Sequence, residues 1–332
     1  MSIEPEAALV ARSLWYPRAA TAELRDEPLP LPGPDQVRVQ ADWSALSRGT
    51  ESLVFQGAVP DSEHERMRVP FQGGHFGFPV KYGYAVVGTV VDGPPAWRGR
   101  SVFVLHPHQS AFVVPTIAVV PVPATVPARR AVLAANMETA LNALWDGGAL
   151  PGSRIAVVGG GVVGALTAWL AARLPGTEVT LVDLRPERAA LAQALGVGFA
   201  LPDDAPSGCD LVFHASASAA GLGTALLAAG DESTVVELSW YGTRGVTAQL
   251  GGAFHSARLK LIASQVGRVA PAMRARWSLR QRMEKALELL TDERLDALLE
   301  PDIPFEQLPA QIANVLGPGA GALCQVVSYR AR

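Results

Sequence analysis

The sequence predicts an α/β protein in which a β-rich, barrel-like part precedes a doubly wound parallel sheet. Three observations predict it. Strand-length apolar runs broken by Pro and Gly fill the chain up to Thr125. From Arg154 onward, short apolar strands alternate with Ala-rich helical stretches. A G-x-G-x-x-G pattern sits at the first of these strand-to-helix joins.

In the first part, Val37, Val39, Ala41 and Trp43 alternate with polar neighbours, the period of a half-buried strand. Gly83–Asp92 and Ser101–Leu105 are further apolar strands. Pro28, Pro30, Pro32, Gly33 and Pro34, then Gly73, Gly74, Gly77 and Pro79, punctuate this region, which favours a compact barrel over helices. Residues 129–147 read as an Ala-rich helix. Strands follow at Ile155–Val158, Val179–Asp183, Gly198–Ala200, Leu211–Ala215, Val235–Leu238 and Leu259–Ser264, with a helix at Ala165–Leu174. Ser278 is placed to cap a helix running to Leu290, Asp292 begins a short one, and Ala322–Tyr329 reads as a last strand.

A length of 332 residues suggests about two domains. The net charge of −3 shows no basic excess, which argues against nucleic acid or an anionic membrane as partner. Only two cysteines, Cys209 and Cys324, are present. They make neither a disulfide framework nor a thiolate metal site, and they suit a reducing, cytoplasmic compartment. Glu4 and Glu6 sit where a signal peptide would be basic and then apolar. No run nears the about 18 apolar residues of a membrane span.

The strongest chemical signal is IAVVGGGVVG, Ile155 to Gly164. Gly159 permits the tight turn out of the strand. Gly161 lets the backbone approach a pyrophosphate, and Gly164 lets the helix pack on the sheet. Val162 and Val163 complete the loop, and the helix start behind them presents N–H groups and a positive dipole end to phosphates. The next strand ends on Asp183, about 20 residues beyond Gly164, where an acid accepts bonds from the ribose hydroxyls and repels a 2′-phosphate. NAD is therefore expected ahead of NADP. Leu184 and Arg185 flank that acid, and Arg185 and Arg188 could soften the preference. Ala215 and Ser216, then Ser239, Trp240 and Tyr241, then Ser264, Gln265 and Val266 follow the carboxyl ends of later strands and are expected to border the cofactor.

This order of parts resembles the medium-chain dehydrogenase/reductase superfamily, the zinc-type alcohol dehydrogenase-like proteins, over nearly the whole chain. Within it the chain is similar to the branch that includes bacteriochlorophyllide a dehydrogenase. The residues that carry this are Ser47–Glu51 (SRGTE), Val80–Gly88 (VKYGYAVVG), His106–Gln109 (HPHQ), Asn136–Asn142 (NMETALN), Ala263–Gly267 (ASQVG) and Arg276–Trp277. The resemblance implies a GroES-like catalytic domain from residues 1–140 and a return segment, 268–332, with a Rossmann domain at 141–267 between them. It also implies a homodimer and a small-molecule substrate.

The metal positions depart from that pattern. Where zinc members carry Cys-Gly-Thr/Ser-Asp, this chain has Arg48-Gly49-Thr50-Glu51, and where they carry Gly-His-Glu it has Gly83-Tyr84-Ala85. A third ligand position of the family falls near Glu138. An arginine and a tyrosine do not replace a cysteine and a histidine around zinc, so neither a catalytic nor a structural zinc is expected. The substrate oxygen then needs another donor. His106 is the first candidate, because an imidazole titrates near neutrality. Tyr84 is the second, since it stands at a vacated ligand position. Lys81, His108 and Glu138 support them, Arg48 is a candidate to stabilise an alkoxide, and Thr50 matches the family's proton-relay hydroxyl. A turn cap is the alternative reading for His108, a surface strand residue for Tyr84, and a structural ion pair for Arg48 and Glu138. His64, His75, His214 and His255 read as ordinary histidines. Arg274, Arg276, Arg280 and Arg282 read as a solvated helix face or a contact for an acidic substrate group.

The expected function is zinc-independent hydride transfer between NAD(H) and a secondary alcohol or ketone of a bulky or cyclic molecule. Reduction of an activated C=C bond with NAD(P)H is the alternative, and a catalytically silent dinucleotide-binding protein is a third reading.

Overall fold

The computed structural model describes residues 9–317 and 319–330. The expectation drawn from Glu4 and Glu6 lies outside these residues. The chain divides into two units, one formed by the residues up to Leu133 together with those from Glu300 on, the other by Ala134–Leu299.

The first unit is built on sheets that are antiparallel except where Ile303–Pro304 runs parallel to Gln325–Ser328. One sheet has the order Ile303–Pro304, Gln325–Ser328, Gln36–Leu46, Val86–Asp92, Ser101–Val104, Val119–Pro121. The long strand Gln36–Leu46 organises it. Its first half pairs Val37 with Val114 and Val39 with Phe112, and its second half pairs Ser44 with Val327 on the returning chain. The alternation read from the sequence is the burial pattern here, since Val37, Val39 and Ala41 pack with Val86, Val90, Val102, Val104 and Phe112 in one core. A smaller sheet orders Thr21–Pro28, Val10–Arg18, Val80–Lys81, Gly73–Gly74. The expected strand from Gly83 begins only at Val86, because Gly83 turns the chain at φ +124°.

The second unit is a six-stranded, wholly parallel sheet. Arg154–Val158 lies at its centre, with Glu178–Val182 and Gly198–Ala200 on one side and Cys209–His214, Ala229–Glu237 and Lys260–Ala263 on the other. That order reverses direction between the first and fourth strands, the place where such sheets open a crevice at their carboxyl edge. Ala156, Val158, Val182, Val212 and Val235 fill the core with Leu222, Ala225 and Leu226 of the Ala219–Ala228 helix. The first helix of the sheet spans Val162–Ala171, three residues earlier than expected, so the glycine turn runs straight into it.

The units divide differently from the boundaries expected above. Residues 134–140 and 268–299 go with the parallel sheet, not with the barrel-like unit. The reason is packing, since the helix Ala134–Gly147 lies against both Val162–Ala171 and Leu279–Glu288. Ser278 caps the latter in a reciprocal box with Gln281, and Asp292 caps the turn Glu293–Leu298. No helix among the described residues is long and apolar enough to cross a membrane.

Candidate functional site

The parallel sheet carries the turn that the sequence singled out. Gly159 leaves its strand at φ +112°, a conformation L side chains rarely adopt, and a Cβ there would stand 2.6 Å from the Ser216 nitrogen. A Cβ on Gly164 would stand 1.9 Å from the Gly159 carbonyl oxygen, so helix and turn meet only because this residue is glycine. Gly161, by contrast, faces open space. It caps the helix with no side-chain bond, and Ala165 N is the amide that bonds back to the Gly161 carbonyl, at 2.8 Å. The N–H groups of Val162, Val163 and Gly164 therefore precede the helical ladder and have no partner within the helix. Two steric glycines and one open glycine fit a diphosphate cradle, which needs a tight turn on one side and room on the other.

Asp183 stands at the end of the neighbouring strand and is half-buried. Its Oδ2 accepts from Gly160 N at 2.6 Å and its Oδ1 from Arg185 N at 2.9 Å. The acid is thus fixed to the glycine turn and held in one orientation. Leu184 beside it is largely exposed. On the other side of the turn, Ala215 N donates to the Val158 carbonyl, and Ala217 N donates to Ser239 Oγ. Ser264 Oγ donates to Asp146 Oδ2 at 2.6 Å, Gln265 Oε1 accepts from Gly267 N, and Trp240 is half-buried. The expected cofactor-bordering stretches therefore lie at the carboxyl edge of one sheet, each pinned by its own bonds.

Two residues of this unit form a pair the sequence did not suggest, since the structural ion pair read as the alternative for Glu138 was with Arg48. Arg282 is no solvated helix residue. It is 1% exposed, and its Nε donates to Glu138 Oε1 at 3.0 Å, its Nη1 to Asn142 Oδ1 and the Arg268 carbonyl, and its Nη2 to the Val266 carbonyl. It thereby clamps the segment after the last parallel strand onto the helix Ala134–Gly147. Glu138 is the counter-ion of that clamp. Burial pushes its carboxyl above the usual range and Arg282 pulls it back only in part.

The catalytic candidates of the barrel-like unit fare unevenly. His106 is buried, its ring stacked on Phe112 at 3.7 Å and on Phe71 at 5.3 Å, with Nδ1 bonded to the Pro107 carbonyl at 2.9 Å. Burial pushes its imidazolium down to about 3, against the expectation of titration near neutrality. At neutral pH this ring holds no acidic proton to give. Lys81 donates to Glu27 Oε2 at 2.6 Å and to Gln109 Oε1 at 3.1 Å, a structural ion pair of the smaller sheet. Arg48 Nη1 donates to the Ala322 carbonyl at 2.9 Å, which ties the start of its helix to the returning chain.

Tyr84 is better placed for chemistry. The Ser47 and Thr50 side chains stand near its hydroxyl as polar neighbours that favour the ionised phenol, and its ring stands edge-on to Tyr82. Burial first, and then the nearby Glu51 charge, push the phenol up to about 12. Behind it lies a cluster that sequence reading missed. Glu51 accepts from Ser47 N at 2.7 Å through Oε1 and meets His108 Nε2 at 3.0 Å through Oε2. His108 Nδ1 reaches Ser44 Oγ at 2.8 Å, and Ser44 Oγ reaches the Tyr329 hydroxyl at 3.0 Å. Glu51 and His108 are wholly buried, so His108 caps no surface turn. Gly83 makes room for it, since a Cβ there would lie 2.7 Å from His108 Cδ2.

Zinc would need lone pairs at Arg48 and Tyr84, the positions matched to metal ligands by resemblance. A guanidinium has none to give, and a phenol held near 12 stays protonated, so these side chains do not fit the ion. Among the described residues no three His, Cys, Asp or Glu side chains group as metal ligands.

No family model matches the chain. Solved structures match it along almost its full length. L-idonate 5-dehydrogenase from Escherichia coli superposes with a TM-score of 0.79 at 15% identity, covering 97% of this chain and 99% of its own. The 2R,3R-butanediol dehydrogenase of Bacillus subtilis gives 0.76 at 16%, covering 96% and 100%. A Sinorhizobium meliloti protein solved bound to NADP gives 0.76 at 19%, covering 96% and 99%. At such identities the likeness establishes the fold, a GroES-like antiparallel unit joined to a Rossmann-type parallel sheet.

Proposed function

We propose that this chain is an NAD(H)-dependent oxidoreductase that interconverts a secondary alcohol and a ketone of a bulky or cyclic small molecule without a metal ion. The observation that carries the reading is the glycine turn, sterically compelled at Gly159 and Gly164, open at Gly161, and locked to the acid Asp183. Gly161, Val162, Val163 and Gly164 would hold the diphosphate through main-chain N–H groups, and Asp183 the adenosine ribose. The similar folds of an L-idonate 5-dehydrogenase and a 2R,3R-butanediol dehydrogenase support the reaction class. The bound cofactor supplies the hydride, and in the reductive direction the protein must supply one proton to the substrate oxygen.

Tyr84 is the proposed donor of that proton's hydrogen bond. Its phenol stays protonated throughout the physiological range, and the Ser47 and Thr50 hydroxyls near it are the proposed route for a proton to return. His106, neutral and stacked between aromatic rings, is assigned to the wall of the barrel-like unit instead.

Titration with NADH and with NADPH, followed by nucleotide fluorescence, tests the cofactor assignment. NADH is expected to bind about tenfold more tightly or better, because Asp183 repels a 2′-phosphate. Asp183→Ser should erase most of that difference, and equal affinities in the wild type would remove Asp183 from this role. Elemental analysis of purified protein should find zinc far below stoichiometric. A full, tightly held equivalent would overturn the metal-free mechanism.

A further inference from the structure

His214, read from the sequence as an ordinary histidine, belongs to a closed polar network at the carboxyl edge of the parallel sheet. Its Nδ1 meets Glu237 Oε2 at 2.7 Å and its Nε2 meets Ser216 Oγ at 2.6 Å. Ser216 Oγ meets Ser218 Oγ at 3.0 Å, and Ser218 Oγ accepts from Gly221 N at 3.0 Å. The Glu237 carboxylate also accepts from the Tyr241 hydroxyl at 2.8 Å and from Ser239 N at 2.7 Å. With His214 Nδ1–H given to the carboxylate and Nε2 as an acceptor, the bonds run in one direction. The amide of Gly221 donates to Ser218, Ser218 to Ser216, Ser216 to His214 Nε2, and His214 Nδ1–H to the carboxylate.

This network does not resemble a nucleophile in waiting, because Ser216 Oγ is pressed under the helix Ala219–Ala228, where a Cβ on Gly221 would stand 2.0 Å from it. It is a brace. It joins the two chain returns that leave the fourth and fifth strands, 214–218 and 237–241. It holds Ala217 at φ +52°, an unfavourable conformation for alanine that the bond from Ala217 N to Ser239 Oγ helps to fix. It also backs directly onto the dinucleotide turn, since Ser216 N is the atom that a Cβ on Gly159 would strike.

We propose that Glu237 is the positioning residue that preorganises the dinucleotide crevice, tying His214, Ser239 and Tyr241 to one carboxylate so that Ala215–Ala217 stand ready against the glycine turn. The inference rests on the dinucleotide reading above and extends it to a residue outside the stretches assigned to the cofactor. Ordering these two returns in advance spares the binding step the cost of fixing them.

NADH titration of the wild type, Glu237→Gln, Tyr241→Phe and the double variant tests it, with thermal midpoints of the free proteins measured alongside. The Gln amide leaves at least one of the three donors without an acceptor. Glu237→Gln is expected to weaken NADH binding by about tenfold or more, and Tyr241→Phe by about threefold. Tyr241→Phe should cost little further in the Glu237→Gln background, since the two act through one bond. The free-protein midpoint of Tyr241→Phe should move by less than its affinity does, a split that a purely structural role would not produce. Wild-type binding with unchanged affinity in both single variants would overturn this inference and leave the dinucleotide reading standing. A wild type that binds neither NADH nor NADPH would overturn both. Should Glu237→Gln fail to fold, the milder Tyr241→Phe decides alone by the same criterion.

Discussion

Tyr84→Phe is expected to lower turnover by about 10²–10³-fold, the usual loss when one donor to a developing oxyanion is removed, with NADH affinity unchanged. The substitution deletes one oxygen and keeps the ring against Tyr82, so folding should survive it. Thr50→Val, which removes a polar neighbour of the phenol, should cause a smaller loss. The pH profile separates this assignment from an imidazole acid. Reduction needs the phenol protonated, and that proton is lost only as pH rises through about 12. No falling limb is therefore expected from neutrality up to that range. An imidazolium donor of ordinary acidity would impose such a limb near pH 6.5, whereas His106 is held down at about 3 and is already neutral there. His106→Asn should accordingly keep activity within a few-fold of wild type. Full activity in Tyr84→Phe, or a limb near neutrality that vanishes with His106, would return the role to the histidine.

What the sequence revealed and what it hid follow one physical distinction. The glycine turn was legible because its causes are local, with strand, turn, helix start and acid all inside one βαβ unit. The six parallel strands were legible because each is a short apolar run between breakers. The strands Val10–Arg18 and Thr21–Pro28 were not, since the first mixes Arg12 and Arg18 among its apolar residues and the second buries none of its side chains. The end of the first unit was misplaced because a helix's own pattern shows that one face is buried and not which neighbour buries it. The Leu279–Glu288 helix packs on Ala134–Gly147, and nothing near Leu279 announces that. The Glu51–His108–Ser44–Tyr329 cluster was hidden for the same reason. Its closing bond spans 285 residues, and no spacing rule reaches that far. His106 was overrated because residue type fixes an ordinary pKa, while the desolvation that moves it depends on Phe71 and Phe112 arriving from elsewhere.

Breaking the buried pair of the parallel unit should have the largest effect on stability. Glu138→Leu is expected to cost about 3–5 kcal/mol, because it strands a guanidinium that is almost wholly enclosed. Glu138→Leu combined with Arg282→Met should recover a large part of that loss by removing both charges. Recovery should stop short of wild type, since the Val266 and Arg268 carbonyls then lose their donor. Arg282→Met alone should depend on pH in a definite sense. The Glu138 carboxyl is already raised above 4.5 in the folded protein, mainly by burial, with Arg282 pulling it down. The native state therefore holds its proton longer than the unfolded chain does, and stability falls as pH rises through the window between the two values. Without Arg282 the folded value climbs and that window widens upward. The deficit of Arg282→Met relative to wild type should be smallest near pH 4.5 and grow toward neutrality, whereas that of Glu138→Leu should shrink over the same range, because of these two proteins only the wild type loses stability there. Denaturant unfolding across this pH range checks both. Strict additivity of the two substitutions, or a pH-independent deficit in Arg282→Met, would show that the pair does not act as a unit. The loop from Ser264 to Arg268 would then be held by packing and by the Ser264–Asp146 bond alone.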